Sequence, residues 1–213
     1  MPQCPNYGKC RQCIAAHAAY YTVPKCVKLM QADMKKNHRH PTNPHIRRPL
    51  SQRVAEYYER NPSAHLRTAA EALGITHWQL LDAMAGAVAV PLSDLDGIYG
   101  ALTALDSVML HADTGGAVLQ ITTALPQAAD RGGTKVISGG GLTALLFPGE
   151  LYAAFLVRER LLGDRESLSL ALVGEDERIA LSIYLRPTDT NTIEERSKAL
   201  FETLWVKYYK SQE

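Results

Sequence analysis

The sequence predicts an α+β fold: N-terminal helices, then an antiparallel sheet, then a C-terminal helix, preceded by a small Cys-rich metal-binding head. Three observations predict it. Apolar residues recur at helical spacing from about Pro49 to Ala85, change to strand-like spacing near Ser107, and return to helical spacing over the last twenty or so residues. All four cysteines fall ahead of this pattern, at Cys4, Cys10, Cys13 and Cys26.

In chain order, "LSQRVAEYYERNP" places Leu50, Val54 and Tyr57 on one helical stripe, with Ser51 as N-cap and Asn61-Pro62 as breaker. "SAHLRTAAEALG" follows, with Leu66, Ala69, Ala70 and Leu73 on a face and Gly74 as the stop. Thr76 caps "HWQLLDAM", and the two segments together have the shape of a helix-turn-helix. "LSDLDGIYGALTAL" is a further short helix. "SVMLH" and "AVLQITTAL" flank "ADTGG", the signal of a β-hairpin. "LTALLF", "LYAAFLVRE", "SLSLALVG" and "RIALSIYL" read as short strands, with "VGEDER" as a tight turn. "TIEERSKALFETLWVKYYK" closes the chain as an amphipathic helix with Ile193, Leu200, Leu204 and Tyr208 near one face. No internal repeat is visible.

Composition bounds the class. The chain has 213 residues, 46% hydrophobic and 21% charged, which suits one substantial core with a small appendage. The net charge of +1 conceals a basic head: residues 1–50 hold nine Lys or Arg and one acid, Asp33, leaving the body mildly acidic. Such a head can meet nucleic acid, an anionic membrane or the acidic body, or stand solvated. "MPQCPNYGKC" lacks the basic start and apolar core of a secretory signal, and no apolar run is long enough to span a bilayer. The expected location is the cytoplasm, where thiols stay reduced. The domains read as 1–30, the Cys-rich head; 31–48, a basic linker; and 49–213, the body.

His111 stands in an apolar run, and its setting is the main functional question. With Thr114-Gly115 as the loop, His111 pairs with Val118 and Met109 with Gln120. Val108, Leu110, Leu119 and Ile121 then share a core face, while Met109, His111, Val118 and Gln120 share a half-polar one. An imidazole there either packs, or ligates a metal through one nitrogen while a partner orients the other.

A resemblance bears on that choice. "RVAEYYERNPSAHLRTAAEALGITHWQLLDAM", "VMLHADTGGAVLQITTALP" and "AFLVRERLLGDRESLSLALVGEDERIALSIYLRP" resemble, in order, the opening helices, the hairpin with a histidine before its turn, and the paired strands of the ChuX/HutX family of bacterial cytosolic heme-utilisation proteins. The likeness runs from about Leu50 to Arg186, and the related HemS/ChuS proteins resemble a duplication of this domain. It implies that 49–213 is a heme-binding domain with heme against the strand surface, and that the protein is a homodimer that passes heme to an accepting protein. His111 is then the axial-ligand candidate, with Met109 beside it. Arg158 and Arg160 are candidate partners of the propionates, and Tyr152 and Tyr184 alternative oxygen ligands. The family's later histidines have no counterpart in "GTKVISGGGLTALLFPG", so a ligand scheme that needs them fails here.

The head has the spacing C-x5-C-x2-C-x12-C, and four thiolates this close can surround one tetrahedral Zn²⁺. His17, four residues past Cys13, can replace one of them. The same ligands suit an iron–sulfur cluster, and disulfides or free thiols are the other readings. A metal would supply the folding energy that so short a segment lacks.

Three functions follow: a cytosolic heme-binding protein for heme trafficking, storage or utilisation; a heme-degrading enzyme; and a DNA-binding regulator using 50–85. The sequence shows no phosphate loop, nucleotide fingerprint or nucleophile–base pair that would define a catalytic set. "THWQLLDAM" carries no Arg or Lys to reach guanine edges or phosphates, so nucleic acid is not an expected partner.

Overall fold

The computed structural model describes residues 48–139, 142–161, 165–185 and 193–210. The chain divides into two units, 1–47 and 48–213, and the described residues all belong to the second. The Cys-rich head, with Cys4, Cys10, Cys13, Cys26 and His17, and nearly all of the linker lie outside them.

The body is α+β, as the spacing predicts. Helices α1 (Leu50–Arg60), α2 (Leu66–Leu73) and α3 (His77–Ala83) lead to strand β1 (Ala87–Val90) and helix α4 (Leu95–Leu102). Strands β2 (Val108–Asp113), β3 (Val118–Thr123), β4 (Ala128–Arg131), β5 (Thr134–Gly139), β6 (Leu142–Leu146), β7 (Leu151–Arg160), β8 (Glu166–Gly174) and β9 (Ile179–Leu185) follow, and α5 (Glu195–Tyr209) comes last. A six-stranded sheet runs β1-β7-β8-β9-β2-β3, and a second sheet runs β4-β5-β6. Every pairing is antiparallel.

The large sheet is covered on both faces. Ala154, Leu156, Leu168, Leu170, Leu172, Ile183 and Leu185 join Ile98 and Leu102 of α4, Ile137 and Leu142 of the small sheet, and Phe201 and Tyr208 of α5 in one core. The alternate residues Phe155, Val157, Ala171 and Val173 form a second core with Val54, Leu66, Ala69, Ala70, Leu80 and Leu81 of α1–α3. Two-sided burial explains why "SLSLALV" reads as an almost unbroken apolar run.

Local chemistry fixes the helices. Thr76 and Gln79 form a reciprocal capping box at the start of α3. Gly74 ends α2 at φ +65°, in the left-handed region that favours glycine. The expected N-cap Ser51 lies one residue inside α1. Pro49 holds the cap position at φ −50°, with its carbonyl accepting from the Arg53 amide at 3.2 Å. Two long-range bonds tie α3 to the turn between β8 and β9: the Trp78 amide donates to the Glu177 carbonyl at 3.1 Å, and the Ile179 amide donates to His77 Nδ1 at 3.0 Å. Among the described residues, no helix is long and apolar enough to cross a membrane.

The hairpin differs from expectation in register. His111 pairs with Gln120 and Met109 with Thr122, because the loop spans Thr114 to Ala117. Asp113 Oδ1 accepts from the Gly115 amide at 2.7 Å, the Thr114 amide donates to the Ala117 carbonyl at 3.0 Å, and Gly115 sits at φ +84°. These bonds make the four-residue loop close well. The slip is two residues, an even number, so the two faces keep their members. Leu119 departs from the expected core: it is 58% exposed, because β3 is an edge strand.

Gly86 marks the tightest backbone approach. A Cβ there would lie 2.5 Å from the Arg158 carbonyl oxygen and 2.9 Å from Met84 Cε, and the Arg158 amide donates to the Gly86 carbonyl at 2.7 Å. Gly86→Ala must push β1 from β7. It is expected to cost about 1–3 kcal/mol, within the range for overpacking, measured as a lowered denaturant midpoint.

Candidate functional site

Strand alternation decides which candidate residues meet. Met109 and His111 project from β2 on the face of the large sheet that α1–α3 partly cover, beside Tyr184 and Ser182 on β9 and Thr122 and Gln120 on β3. His111 is half-buried. Its Nδ1 lies 3.1 Å from Gln120 Nε2, and its ring meets the Tyr184 ring edge-on at 5.9 Å. Burial pushes the Tyr184 hydroxyl up to about 12, so it stays a neutral phenol at ordinary pH.

Two arginines stand near this end of β2. Arg67 of α2 donates to Asp113 Oδ2 at 2.9 Å and to Glu71 at 3.0 Å. The Gly115 amide, with Arg67 second, holds the Asp113 carboxyl below the usual carboxylate range. Arg178, on the β8–β9 turn, reaches to within 3.5 Å of where a Gly115 side chain would begin. Neither arginine stands out in the sequence, because their nearness to His111 comes from strands and helices distant along the chain.

Arg158 is not brought to His111. It projects from the opposite face of β7, where it donates to Glu202 of α5 at 2.6 Å and lies 3.4 Å from Glu166. Its guanidinium is 4.9 Å from the Trp205 ring centroid and 5.8 Å from that of Phe201. These contacts clamp α5 onto the sheet. Arg160, two residues on, shares that face by alternation and is exposed. Tyr152 is exposed and packs edge-on against Trp78 at 5.5 Å, apart from His111. The helix-turn-helix-like segment spends its second helix on the core, with Leu80 and Leu81 buried against the sheet.

Among the described residues, the large sheet is flanked by a small void against α4 and α5 and by two larger cavities. One, of about 150 Å³, lies between the sheets and is lined by aliphatic side chains such as Leu110, Ile121, Ile137 and Leu172, with the Tyr99 ring among them. The other, of about 1060 Å³, lies under α1 and α3 at the β7 edge, bounded by Tyr58, Glu59, Asp82 and Glu159. His111 lines neither of them. Among the described residues, no group of three or more His, Cys, Asp or Glu side chains is placed to hold a metal ion.

No protein-family model matches this sequence, and no curated protein does. Solved structures share its fold. The crystal structure of ChuX superposes with a TM-score of 0.68 at 18% identity, covering 74% of this chain and 98% of that one. Holo-PhuS, a heme-binding protein from Pseudomonas aeruginosa, superposes with a TM-score of 0.63 at 12% identity, covering 71% of this chain and 45% of that one. ChuS, an E. coli heme oxygenase, gives 0.62 at 19% identity, covering 74% of this chain and 49% of that one. The chain therefore spans nearly all of ChuX and about half of PhuS and ChuS, and its body has the ChuX-type fold.

Glu159 is 8% exposed, and its carboxyl accepts from the Leu66 amide at the start of α2. Burial pushes that carboxyl up to about 7. The folded chain then holds a proton that the unfolded chain has released between about pH 4.5 and 7, so stability falls as pH rises through that window. Raising the carboxyl this far corresponds to about 3 kcal/mol. Glu159→Gln is expected to flatten this part of the stability–pH curve and to raise the urea midpoint at pH 8.

Proposed function

We propose that this chain binds heme, for its intracellular trafficking, storage or utilisation, on the strand surface around His111. One observation carries the proposal: in a fold shared with the heme-binding proteins ChuX and PhuS, a half-buried imidazole stands on β2 with one ring nitrogen against Gln120. As placed, the Gln120 NH2 group donates to Nδ1 and leaves the ring proton on Nε2; ligation of an iron through Nε2 requires the amide turned over, so that Oε1 accepts from Nδ1–H and the Nε2 lone pair is free. The donor set fits the group: an imidazole for the iron, with Met109, Tyr184 and the exposed Val118 on the same face as apolar contact for a flat macrocycle. Bound heme supplies an iron that accepts a nitrogen ligand and changes oxidation state.

The chain's own residues do the rest. His111 anchors, Gln120 fixes the ring, and Tyr184 limits its tilt. Arg67 and Arg178 are the cations at this end of β2 suited to heme carboxylates. Arg158, on the other face, holds α5, and Arg160 shares that face by alternation. The larger cavity is a poorer place for a dianionic macrocycle, because Glu59, Asp82 and Glu159 bound it.

Hemin titration tests the proposal. The wild-type chain is expected to shift the Soret band saturably, and His111→Ala to weaken binding about 10–100-fold. Absence of a saturable shift in the wild type would overturn heme binding. An unchanged His111→Ala would overturn the ligand assignment alone. Loss of the bound Soret band on adding a reductant and oxygen would instead make the chain a heme-degrading enzyme.

The proposal extends to a cytoplasmic homodimer that hands heme to an accepting protein, with dimerisation checked by light scattering. The head, residues 1–30, is proposed as a structural zinc module with Cys4, Cys10, Cys13 and Cys26 as ligands and His17 as a substitute, or else an iron–sulfur site. Elemental analysis of the purified chain is expected to find about one zinc per chain, lost in Cys10→Ser/Cys13→Ser. Iron with sulfide would instead assign the cluster.

A further inference from the structure

The cavity of about 1060 Å³ under α1 and α3 has a polarity unlike that of the His111 surface. Its walls include Val54, Ala83 and Met84, and its polar groups are Tyr58, Glu59, Asp82 and Glu159. Arg158 and Arg160 also line it, but the Arg158 side chain is committed to Glu202 on the other face of β7, and Arg160 is exposed at the strand end. Three carboxylates, Glu59, Asp82 and Glu159, thus outnumber the remaining arginine in the lining. Two of its polar groups are buried. Glu159 is 8% exposed, and the Tyr58 hydroxyl oxygen is buried without a hydrogen-bond partner. A buried hydroxyl without a protein partner is costly and calls for a donor or acceptor from the cavity beside it.

We propose that this cavity is a second binding site, independent of heme, for a primary organic amine carrying an apolar body. The ammonium group would pair with the Glu159 carboxylate and give the Tyr58 hydroxyl oxygen a donor. The apolar body would lie against Val54, Ala83 and Met84, while Glu59 and Asp82 attract the cation. A neutral ligand of the same shape would leave Glu159 uncompensated.

Tyr58 on α1, the Leu66 amide on α2 and Tyr184 on β9 act on or feel Glu159, and Glu59 on α1, Asp82 on α3 and Arg158 and Arg160 on β7 line the same cavity. Burial and the Glu159 charge raise the Tyr58 hydroxyl, so it remains protonated. Burial also raises Glu159 to about 7, so amine binding below that pH must first release its proton. Affinity is therefore expected to strengthen as pH rises to about 7 and to level off above it.

The test is calorimetric titration of the full chain with butylamine through octylamine, each beside its matched alcohol. The amines are expected to bind at least tenfold tighter than the alcohols at pH 8, with proton release at pH 6. Glu159→Gln should erase the preference, and Tyr58→Phe should weaken amine binding about threefold. Ala55→Phe, at an exposed position bordering the cavity, is expected to keep the fold and block binding. Equal binding of amine and alcohol, or a pH-independent amine affinity in the wild type, would overturn the proposal even if Glu159→Gln failed to fold. Hemin titration of Ala55→Phe should match the wild type, which separates this site from the heme proposal.

Discussion

Two-sided burial of β7 and β8 is the constraint on which the rest of the body depends. From Leu168 to Val173, every residue of β8 is buried, alternating between two cores. An antiparallel sheet often leaves one face wet. Here α1–α3 cover one side and α4, α5 and the small sheet cover the other, so strand parity assigns each side chain to one of two separate interiors. The arrangement admits no one-residue slip, because a slip would exchange both cores at once.

That parity also sorts the polar residues. Arg158 and Glu159 are neighbours in sequence, yet Arg158 serves the α5 face and Glu159 the α1–α3 face. The guanidinium finds two carboxylates and two aromatic rings there, whereas the carboxyl finds burial and one backbone amide. The first arrangement fixes a helix. The second keeps a titratable group in a site where its ionisation is costly.

The helix-bearing face is itself divided. At the β7 edge, α1 and α3 roof an acidic cavity. Toward the β3 edge, the same face carries the half-buried His111, Tyr184 and Met109, with Arg67 and Arg178 nearby. On the two proposals, the ends of this face take different ligands: heme carboxylates at the His111 end and an ammonium group at the Glu159 end.

The sequence by itself determined the element types and much of their capping. Gly74, Thr76 and the Leu50–Val54–Tyr57 stripe act locally, and local rules read them correctly, whereas the Gln79 half of the capping box came from the structure. It also determined which hairpin residues share a face, because parity survives an even register error. β1, β4 and β5 went unread: "AVAV" is four residues long, and β4 and β5 carry a weak alternation that is stabilised by sheet pairing. Tertiary structure alone decided the four-residue loop, the exposure of Leu119 on an edge strand, and the two turn bonds that seat α3. It also separated Arg158 from His111 and brought Arg67 and Arg178 toward it. Those outcomes depend on strands paired across as many as 77 residues, as Val108 with Leu185, and on how many strands lie between two positions in the sheet. Neither quantity is written in any local stretch of the chain.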